Sequence, residues 1–172
     1  MISHIAILME NQPGALSRVV GLFSQRGYNI DSLSVAPTQE STLSRLTMTT
    51  SEEPEVISQI LRQLFKLIDV VMVQNLTSAV SFSIELAIIK LALDAEEVKK
   101  IIDGENKISC NIVNEVDGFT MFEVKGESIA IDNFLSSLKD QEFLEVSRSG
   151  QLGMTTGMAS LRTNDQTKIS YD

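Results

Sequence analysis

The stretch IAILMENQPGALSRVVGLFSQRG, Ile5 to Gly27, determines the fold that we predict for the first half of the chain. Apolar residues alternate over Ile5–Met9, as they do in a β-strand. After Pro13-Gly14, apolar residues recur at the spacing of one helical face; they are Leu16, Val19, Val20 and Phe23. Gly27 follows, where helices commonly end on a left-handed residue. The stretch therefore predicts a strand, a tight connection and an amphipathic helix.

The pattern continues through the rest of the first half. Strands are predicted over Ile30–Ala36, around Leu46 to Met48, and over Val70–Val73. A second helix precedes the last of these strands, with Ser51 as its predicted N-cap and Pro54 in its first turn. The element order is βαββαβ, which folds into a four-stranded antiparallel sheet with both helices on one face, the ferredoxin-like arrangement.

The second half repeats this order. A long strand is predicted over Phe82–Ile88, Asp94 is expected to cap a short helix, and Asp117-Gly118 is expected to form a hairpin turn. A helix over Ile131–Leu138 and a last strand over Phe143–Val146 complete the second unit. The predicted fold class is therefore α+β, with two ferredoxin-like βαββαβ domains.

The domain boundaries follow from the two repeats. We predict a first domain over residues 1–77, a second over 78–158, and a flexible tail over 159–172, where the sequence loses its periodicity. Two such small units with exposed edge strands predict side-by-side dimerisation.

Composition excludes several classes of partner. The 172 residues include 14 basic and 23 acidic side chains, a formal charge of -9, which disfavours nonspecific binding to nucleic acid and to anionic membranes. No apolar run reaches the roughly 18 residues of a membrane span, and the N-terminus lacks a secretory signal pattern. The single cysteine, Cys110, allows no intramolecular disulfide. We expect a cytoplasmic protein with no nucleic-acid or membrane partner.

The sequence offers little for catalysis. His4 is the sole histidine. Cys110 lies in a predicted strand, where we expect a buried core thiol rather than a nucleophile. Neither a phosphate-binding nor a dinucleotide-binding glycine motif is present. No metal-ligand pattern is visible. We therefore expect no catalytic residues and no metal site on this chain.

The informative stretch for binding is ENQPGAL, Glu10 to Leu16, which connects the first strand to the first helix. A helix N-terminus presents unpaired backbone N–H groups and a partial positive charge, which suit a carboxylate or phosphate. Gly14 lacks a Cβ and so allows a ligand to approach the backbone closely. An ordinary loop with a good helix start is the alternative interpretation.

Two stretches resemble a known family. The run ENQPGALSRVVGLFSQRGYNIDSLSVAPT, Glu10 to Thr38, and the run TLSRLTM, Thr42 to Met48, resemble the regulatory small subunits of acetohydroxyacid synthase, also called acetolactate synthase. LEVSRSG, Leu144 to Gly150, is similar to the family's C-terminal pattern. The resemblance implies that the first domain is an ACT domain, a βαββαβ unit that binds amino acids.

The resemblance also implies a function. Family members have no catalytic activity of their own, activate a thiamine-diphosphate-dependent catalytic subunit, and make it sensitive to feedback inhibition by a branched-chain amino acid, usually valine. Thiamine diphosphate, Mg and FAD are then expected on the catalytic partner, and no cofactor on this chain. The effector would lie between the ACT domains of a homodimer.

By the same resemblance, one subunit would bind the effector's α-carboxylate and ammonium group, and its partner would complete the site. The expected effector-binding residues are Asn11, Gly14, Ala15 and Leu16 from one chain and Asn29 and Ile30 from the other. Leu33 and Val35 are candidates for the apolar wall, with a purely structural core role as the alternative.

Three other classes of protein are compatible with parts of this pattern. A stand-alone ACT-type amino-acid sensor would carry the same loop. A ferredoxin-like RNA binder would need exposed aromatic residues and a basic sheet face, whereas aromatic residues make up 5% of this chain. A small metabolic enzyme would need the catalytic side chains that the sequence lacks.

Overall fold

A computed structural model describes residues 2–77, 81–158, 160–161 and 169–170, the last pair by backbone alone. Its contacts divide the chain into two units. The first unit contains the residues up to Phe82 together with those from Gln151 onwards, and the second unit is Ser83–Gly150. Residues 78–80, at the predicted domain boundary, and most of the predicted tail lie outside the described residues, so both remain predictions.

The first unit has the predicted order of elements. Its strands and helices are β1 Ser3–Glu10, α1 Ala15–Arg26, β2 Ser32–Pro37, β3 Leu43–Thr50, α2 Pro54–Leu64 and β4 Val70–Asn75. The strands lie in the order β2-β3-β1-β4, and a short later strand, β9 (Ile169–Ser170), pairs in parallel with β4. β1 and β2 each pair antiparallel with β3, so they run in the same direction.

The core of the first unit lies between the sheet and its two helices. Side chains alternate across a strand, so one face of β1 carries Ile5, Ile7 and Met9 towards the helices. Val19 and Phe23 of α1 pack against them, and both side chains are buried. Of the stripe that predicted the helix, Val19 and Phe23 are therefore buried and Leu16 is half-buried, whereas Val20 is 38% exposed.

The end of α1 is as predicted, whereas the start of α2 is not. Gly27 has φ 70, and its N–H bonds back to the carbonyl of Ser24 at 3.2 Å. The predicted N-cap Ser51 was wrong: Glu53 occupies that position, directly before Pro54 at the first helical position. The hydroxyl of Ser51 instead donates to Asp31 Oδ2 at 2.6 Å.

A strap from the C-terminal part of the chain lies on the other face of the first sheet. The strap is Gln151–Thr155, the last residues of a long strand that begins in the second unit. Arg45 Nη2 donates to the carbonyl of Gly153 at 2.6 Å. A Cβ at Gly153 would stand 2.7 Å from Leu76 Cδ1, so the approach requires glycine. The strand predicted over Phe143–Val146 thus continues to Thr155.

The second unit repeats the topology. Its elements are β5 Ser81–Leu91, α3 Ala95–Ile102, β6 Ile108–Val116, β7 Phe119–Gly126, α4 Ser128–Ser137 and β8 Phe143–Thr155. The strand order β6-β7-β5-β8 corresponds to β2-β3-β1-β4 of the first unit. The prediction of an α+β chain with two ferredoxin-like units is confirmed.

Two local predictions in the second unit, the helix cap at Asp94 and the turn at Asp117-Gly118, are confirmed. Asp94 caps α3 in a capping box, accepting from the Glu97 N–H at 2.9 Å while the Glu97 carboxylate accepts from the Asp94 N–H. Asp117 and Gly118 have φ 53 and φ 80, the left-handed pair of a tight hairpin turn. Among the described residues, no helix combines the length and the apolar character needed to cross a membrane.

Candidate functional site

The connection between β1 and α1 ends in a left-handed glycine. Gly14 is the N-cap of α1, with φ 89 and ψ -14. A residue with a Cβ would be strained in this conformation, and its Cβ would stand 3.1 Å from Arg18 Nη1. The sequence requires Gly14 here for both reasons.

The first turn of α1 leaves backbone N–H groups open. The N–H of Ala15 donates to the carbonyl of Gln12 at 3.2 Å, so it is already engaged. Within the described part of the chain, the N–H groups of Gly14, Leu16 and Ser17 have no acceptor. These groups give the helix start its capacity to bind an anion. Ser17 was not among the predicted site residues.

Asn11 ties the loop to the neighbouring turn between β2 and β3. Its N–H donates to the carbonyl of Thr42 at 2.7 Å, and Nδ2 donates to the carbonyl of Ser41 at 2.9 Å. Oδ1 accepts no hydrogen bond from any residue that the structure describes. The side chain is exposed, so this oxygen can accept from the ammonium group of a ligand.

A buried carboxylate holds the other side of the loop. Asp69 lies directly before β4, and its side chain is 3% exposed. Its Oδ1 accepts from Arg18 Nη2 at 2.8 Å and from Gln12 Nε2 at 2.7 Å, and Oδ2 accepts from Arg18 Nε. The backbone carbonyl of Asp69 accepts from the Glu10 N–H at 2.8 Å. Sequence reasoning missed this cluster.

The pairing sets the ionisation of the cluster. The hydrogen bond from Arg18 holds the pKa of Asp69 below its ordinary value, with a smaller contribution in the same direction from Gln12, although burial alone would raise it. The same hydrogen bond raises the pKa of Arg18. Both groups therefore remain charged at neutral pH, and their charges cancel next to the helix start.

A cavity lies beside this helix start, between α1 and the end of α2. Its volume is about 520 Å³, within the range of small-molecule sites. The lining residues include Gly14, Ser17, Arg18, Gly21 and Gln63. Gly14 and Ser17, two of the three residues with open N–H groups, therefore line a space large enough for an amino acid.

The two residues expected from a partner chain lie beyond the other end of α1. Asn29 is exposed; its Nδ2 donates to Asp31 Oδ1 at 2.7 Å, and its N–H donates to Glu52 Oε1 at 3.1 Å. Ile30 is half-buried and packs against the core, as Leu16 does. The Oδ1 atom of Asn29 accepts no hydrogen bond from the described residues, and the side chain is exposed.

One chain does not bring the two sets of residues together. Asn11, Gly14, Ala15 and Leu16 lie at the start of α1, whereas Asn29 and Ile30 follow its end. Twelve helical residues at 1.5 Å each separate the ends by about 18 Å. A ligand contacting both sets therefore requires a second copy of the chain.

Two other side chains with reactive chemistry, Cys110 and His4, are uncharged at neutral pH. Burial, with a smaller effect from Glu105, raises the pKa of Cys110 to about 11, so the thiol stays protonated at neutral pH. Burial lowers the pKa of His4, so its imidazole is neutral. Among the described residues, no group of three or more His, Cys, Asp or Glu side chains could hold a metal ion.

The fold of the first unit, with an open helix start after β1, defines a domain of the ACT type. The family described as the AHAS small subunit-like ACT domain matches residues 5–72, and the small subunit of acetolactate synthase family matches residues 84–157. This chain belongs to the acetolactate synthase small subunit family. The prediction from the sequence runs beginning at Glu10 and Leu144 is confirmed.

Relatives match over nearly the whole chain. The acetolactate synthase isozyme 3 small subunits of Salmonella typhimurium and Escherichia coli are 41% and 39% identical to it, each covering 92% of this chain and 98% of the relative. The crystal structure of the acetolactate synthase small subunit from Thermotoga maritima has a TM-score of 0.79 at 26% identity, covering 90% of this chain and 96% of that one.

The ion pair at the loop predicts a pH-dependent stability. The folded-state pKa of Asp69 lies below its ordinary value of 3.8. The carboxylate therefore stabilises the fold above that value and loses its contribution as the pH falls towards the folded-state pKa. We expect the wild-type advantage over Asp69→Asn in free energy of unfolding to be complete at pH 7 and to shrink below about pH 4.

Urea unfolding at several pH values, followed by the fluorescence of Tyr28 in the first core, measures this difference. Asp140→Asn is the control, because Asp140 is an exposed carboxylate with no ion-pair partner in the described part of the chain. Its difference should stay near zero throughout. An Asp69→Asn difference as large at pH 3 as at pH 7 would contradict the assignment.

Proposed function

We propose that this chain is the regulatory subunit of an acetolactate synthase in branched-chain amino acid biosynthesis. It activates the catalytic subunit and confers feedback inhibition by a branched-chain amino acid, with valine as the first candidate. The observation that carries the proposal is full-length similarity to acetolactate synthase small subunits, together with an open helix start at the predicted effector loop. Thiamine diphosphate, Mg and FAD belong, in this proposal, to the catalytic partner.

The chemistry of the loop suits a zwitterionic amino acid. The N–H groups of Gly14, Leu16 and Ser17 can donate to the α-carboxylate, and the positive end of the α1 dipole favours it. The Oδ1 atoms of Asn11 and of the partner's Asn29 can accept from the ammonium group. Backbone donors and amide oxygens recognise the part that all amino acids share, so side-chain specificity rests with the apolar wall.

The sheet edges suggest how two chains form one site. The β4 edge carries β9, whereas β2 is an edge strand without a further strand among the described residues. Because β1 and β2 run in the same direction, an antiparallel pairing of two β2 strands would put the start of one at the end of the other. Asn29 of one copy would then lie at the end of the sheet where Asn11–Leu16 of the other lies.

A site shared between two chains gives regulation a physical basis. A ligand shifts an equilibrium only between states that it binds unequally. An effector that contacts both copies binds the paired state and not the separated one, so it tightens or reorients the pair. We propose that this change alters how the regulatory dimer contacts the catalytic subunit.

Gly14→Asp tests the effector loop. The substitution adds a Cβ against Arg18, strains a backbone of φ 89, and directs a carboxylate at the position of the ligand's own. We expect valine to bind at least about tenfold more weakly in calorimetry, equivalent to roughly 1.4 kcal/mol. Gly104→Asp is the control, because a Cβ at Gly104 would meet nothing within 4 Å. Undiminished binding to Gly14→Asp would reject the loop as the site.

Asn29→Ala separates feedback from activation. The loss of one amide should weaken the response to valine by about tenfold, while the catalytic subunit is still activated, because a hydrogen bond to a charged group contributes about 1.5 kcal/mol or more. Assays of the cognate catalytic subunit with valine, leucine and isoleucine in turn measure both properties and identify the effector. If activation and feedback disappear together, the two functions share one surface and the separation is wrong.

Val35→Glu tests the dimer edge. Val35 is 38% exposed near the middle of β2, so two introduced carboxylates would face each other across the proposed twofold axis. Like charges opposed across strands destabilise the pairing. We therefore expect sedimentation equilibrium to give a dimer dissociation constant about tenfold higher than that of the wild type. Val113→Glu, at an exposed position of the second unit, should leave association unchanged. Equal association of both variants would exclude the β2 edge.

A further inference from the structure

The cluster beneath the effector loop joins three separate elements through one residue, Asp69. Its backbone carbonyl accepts from the N–H of Glu10 at the end of β1, and its carboxylate accepts from Gln12 in the loop and from Arg18 in α1. Among the described residues, Asn11 makes the other attachment of the loop, to the turn at Ser41 and Thr42. The segment between these two attachments carries the open N–H group of Gly14.

We infer that Arg18 and Asp69 are positioning residues of the effector site: Asp69 fixes the loop and helix start, and Arg18 cancels the charge of Asp69 so that an effector carboxylate can bind there. This inference rests on the proposed function, because it assigns roles at the same site. Neither residue needs to touch the effector. Their roles are geometric for Asp69 and electrostatic for Arg18.

The geometric role follows from the form of the contacts. A guanidinium that donates from Nε and Nη2 to one carboxylate is a bidentate pair, which fixes orientation as well as distance. The remaining nitrogen, Nη1, lies beside Gly14. The bidentate pair of Arg18 and Asp69 on one side and the hydrogen bonds of Asn11 on the other therefore fix the backbone conformation at Gly14 before a ligand binds. Preorganisation of this kind lowers the entropy lost on binding.

The electrostatic role follows from burial. The Asp69 side chain is 3% exposed, so water screens its charge poorly. Without Arg18, a bare buried carboxylate would stand next to the helix start and oppose the carboxylate of an effector. With Arg18 in place, the pair is neutral and the partial positive charge of the helix start remains available.

A double-mutant cycle tests this assignment on the full chain, with valine as the probe and leucine and isoleucine in parallel. Arg18→Gln removes the neutralising charge and leaves Asp69 ionised, so we expect valine to bind at least about tenfold more weakly in calorimetry. Arg18→Gln combined with Asp69→Asn removes both charges, and we expect it to recover at least about threefold of that loss. A purely structural defect would deepen in the double variant.

Two further variants keep the test decisive. Arg62→Gln is the matched control, the same substitution at an exposed arginine in the last turn of α2 that does not line the cavity, and it should bind valine within about twofold of wild type. Gln12→Ala removes the exposed side chain that donates to Asp69 Oδ1 and to Glu10 Oε2, while the pairing of Arg18 with Asp69 stays in place, and binding should weaken by about threefold to tenfold. Thermal unfolding of each variant verifies that the chain is folded.

The outcomes are distinguishable. If Arg18→Gln and Gln12→Ala both bind valine with the affinity of the wild type, the positioning roles are overturned and the proposed function stays intact. A double variant weaker than Arg18→Gln would overturn the electrostatic role. A wild-type chain that binds none of the three amino acids would overturn the proposed function and, with it, this inference.

Discussion

The first turn of an α-helix cannot satisfy its own N–H groups, and the candidate site of this protein depends on that constraint. The loop after β1 could have filled those positions with a capping side chain, as Asp94 does for α3. It places Gly14 there instead, so no side chain competes for the N–H groups of the turn. The bonds that fix the loop are made to its sides, by Asn11 and by the Asp69 cluster. The helix start is thus held rigidly but left open.

This arrangement suits the sensing role that we propose for the chain. Recognition through backbone groups needs no perturbed acid or base, and the two side chains with reactive chemistry, His4 and Cys110, are neutral at physiological pH. In our proposal, the pair of Arg18 and the buried Asp69 positions the loop. The proposed two-chain site would also link ligand affinity to chain association thermodynamically, because each would stabilise the other.

Elements with strong local signals could be predicted from the sequence. Periodicity gave the order of strands and helices in both units, and Gly27, Asp94 and Asp117-Gly118 were assigned correctly because their signals lie within a few residues. The predicted N-cap of α2 was wrong because Pro54 fixes the start of the helix, which makes Glu53, the residue just before it, the cap whatever its side chain. Ser51 lies three residues before Pro54, and its hydroxyl donates to Asp31 instead.

Contacts between distant parts of the chain could not be predicted. Arg18 and Asp69 are 51 residues apart, and no periodicity in a single sequence connects them. Asp69 also looks like an ordinary polar residue before a strand, although it is almost fully buried. The strap was missed for a related reason: Gln151–Thr155 is short and contains Gly153, which weakens a strand signal, and the sheet that it lies on is distant in the sequence.

The strap has a consequence for synthesis of the protein. The first 82 residues contain a complete βαββαβ sequence, but the residues that bind Arg45 and lie against Leu76 are made only after the entire second unit. At a translation rate of 5–20 residues per second, the intervening 70 or so residues take roughly 4–14 s to emerge. During that interval the nascent first unit exposes a sheet face that is covered in the finished protein. Aggregation through that face must therefore be avoided while the chain is still bound to the ribosome. Until the strap is made, Arg45 has no Gly153 carbonyl to donate to, and its charged side chain keeps this face of the sheet polar.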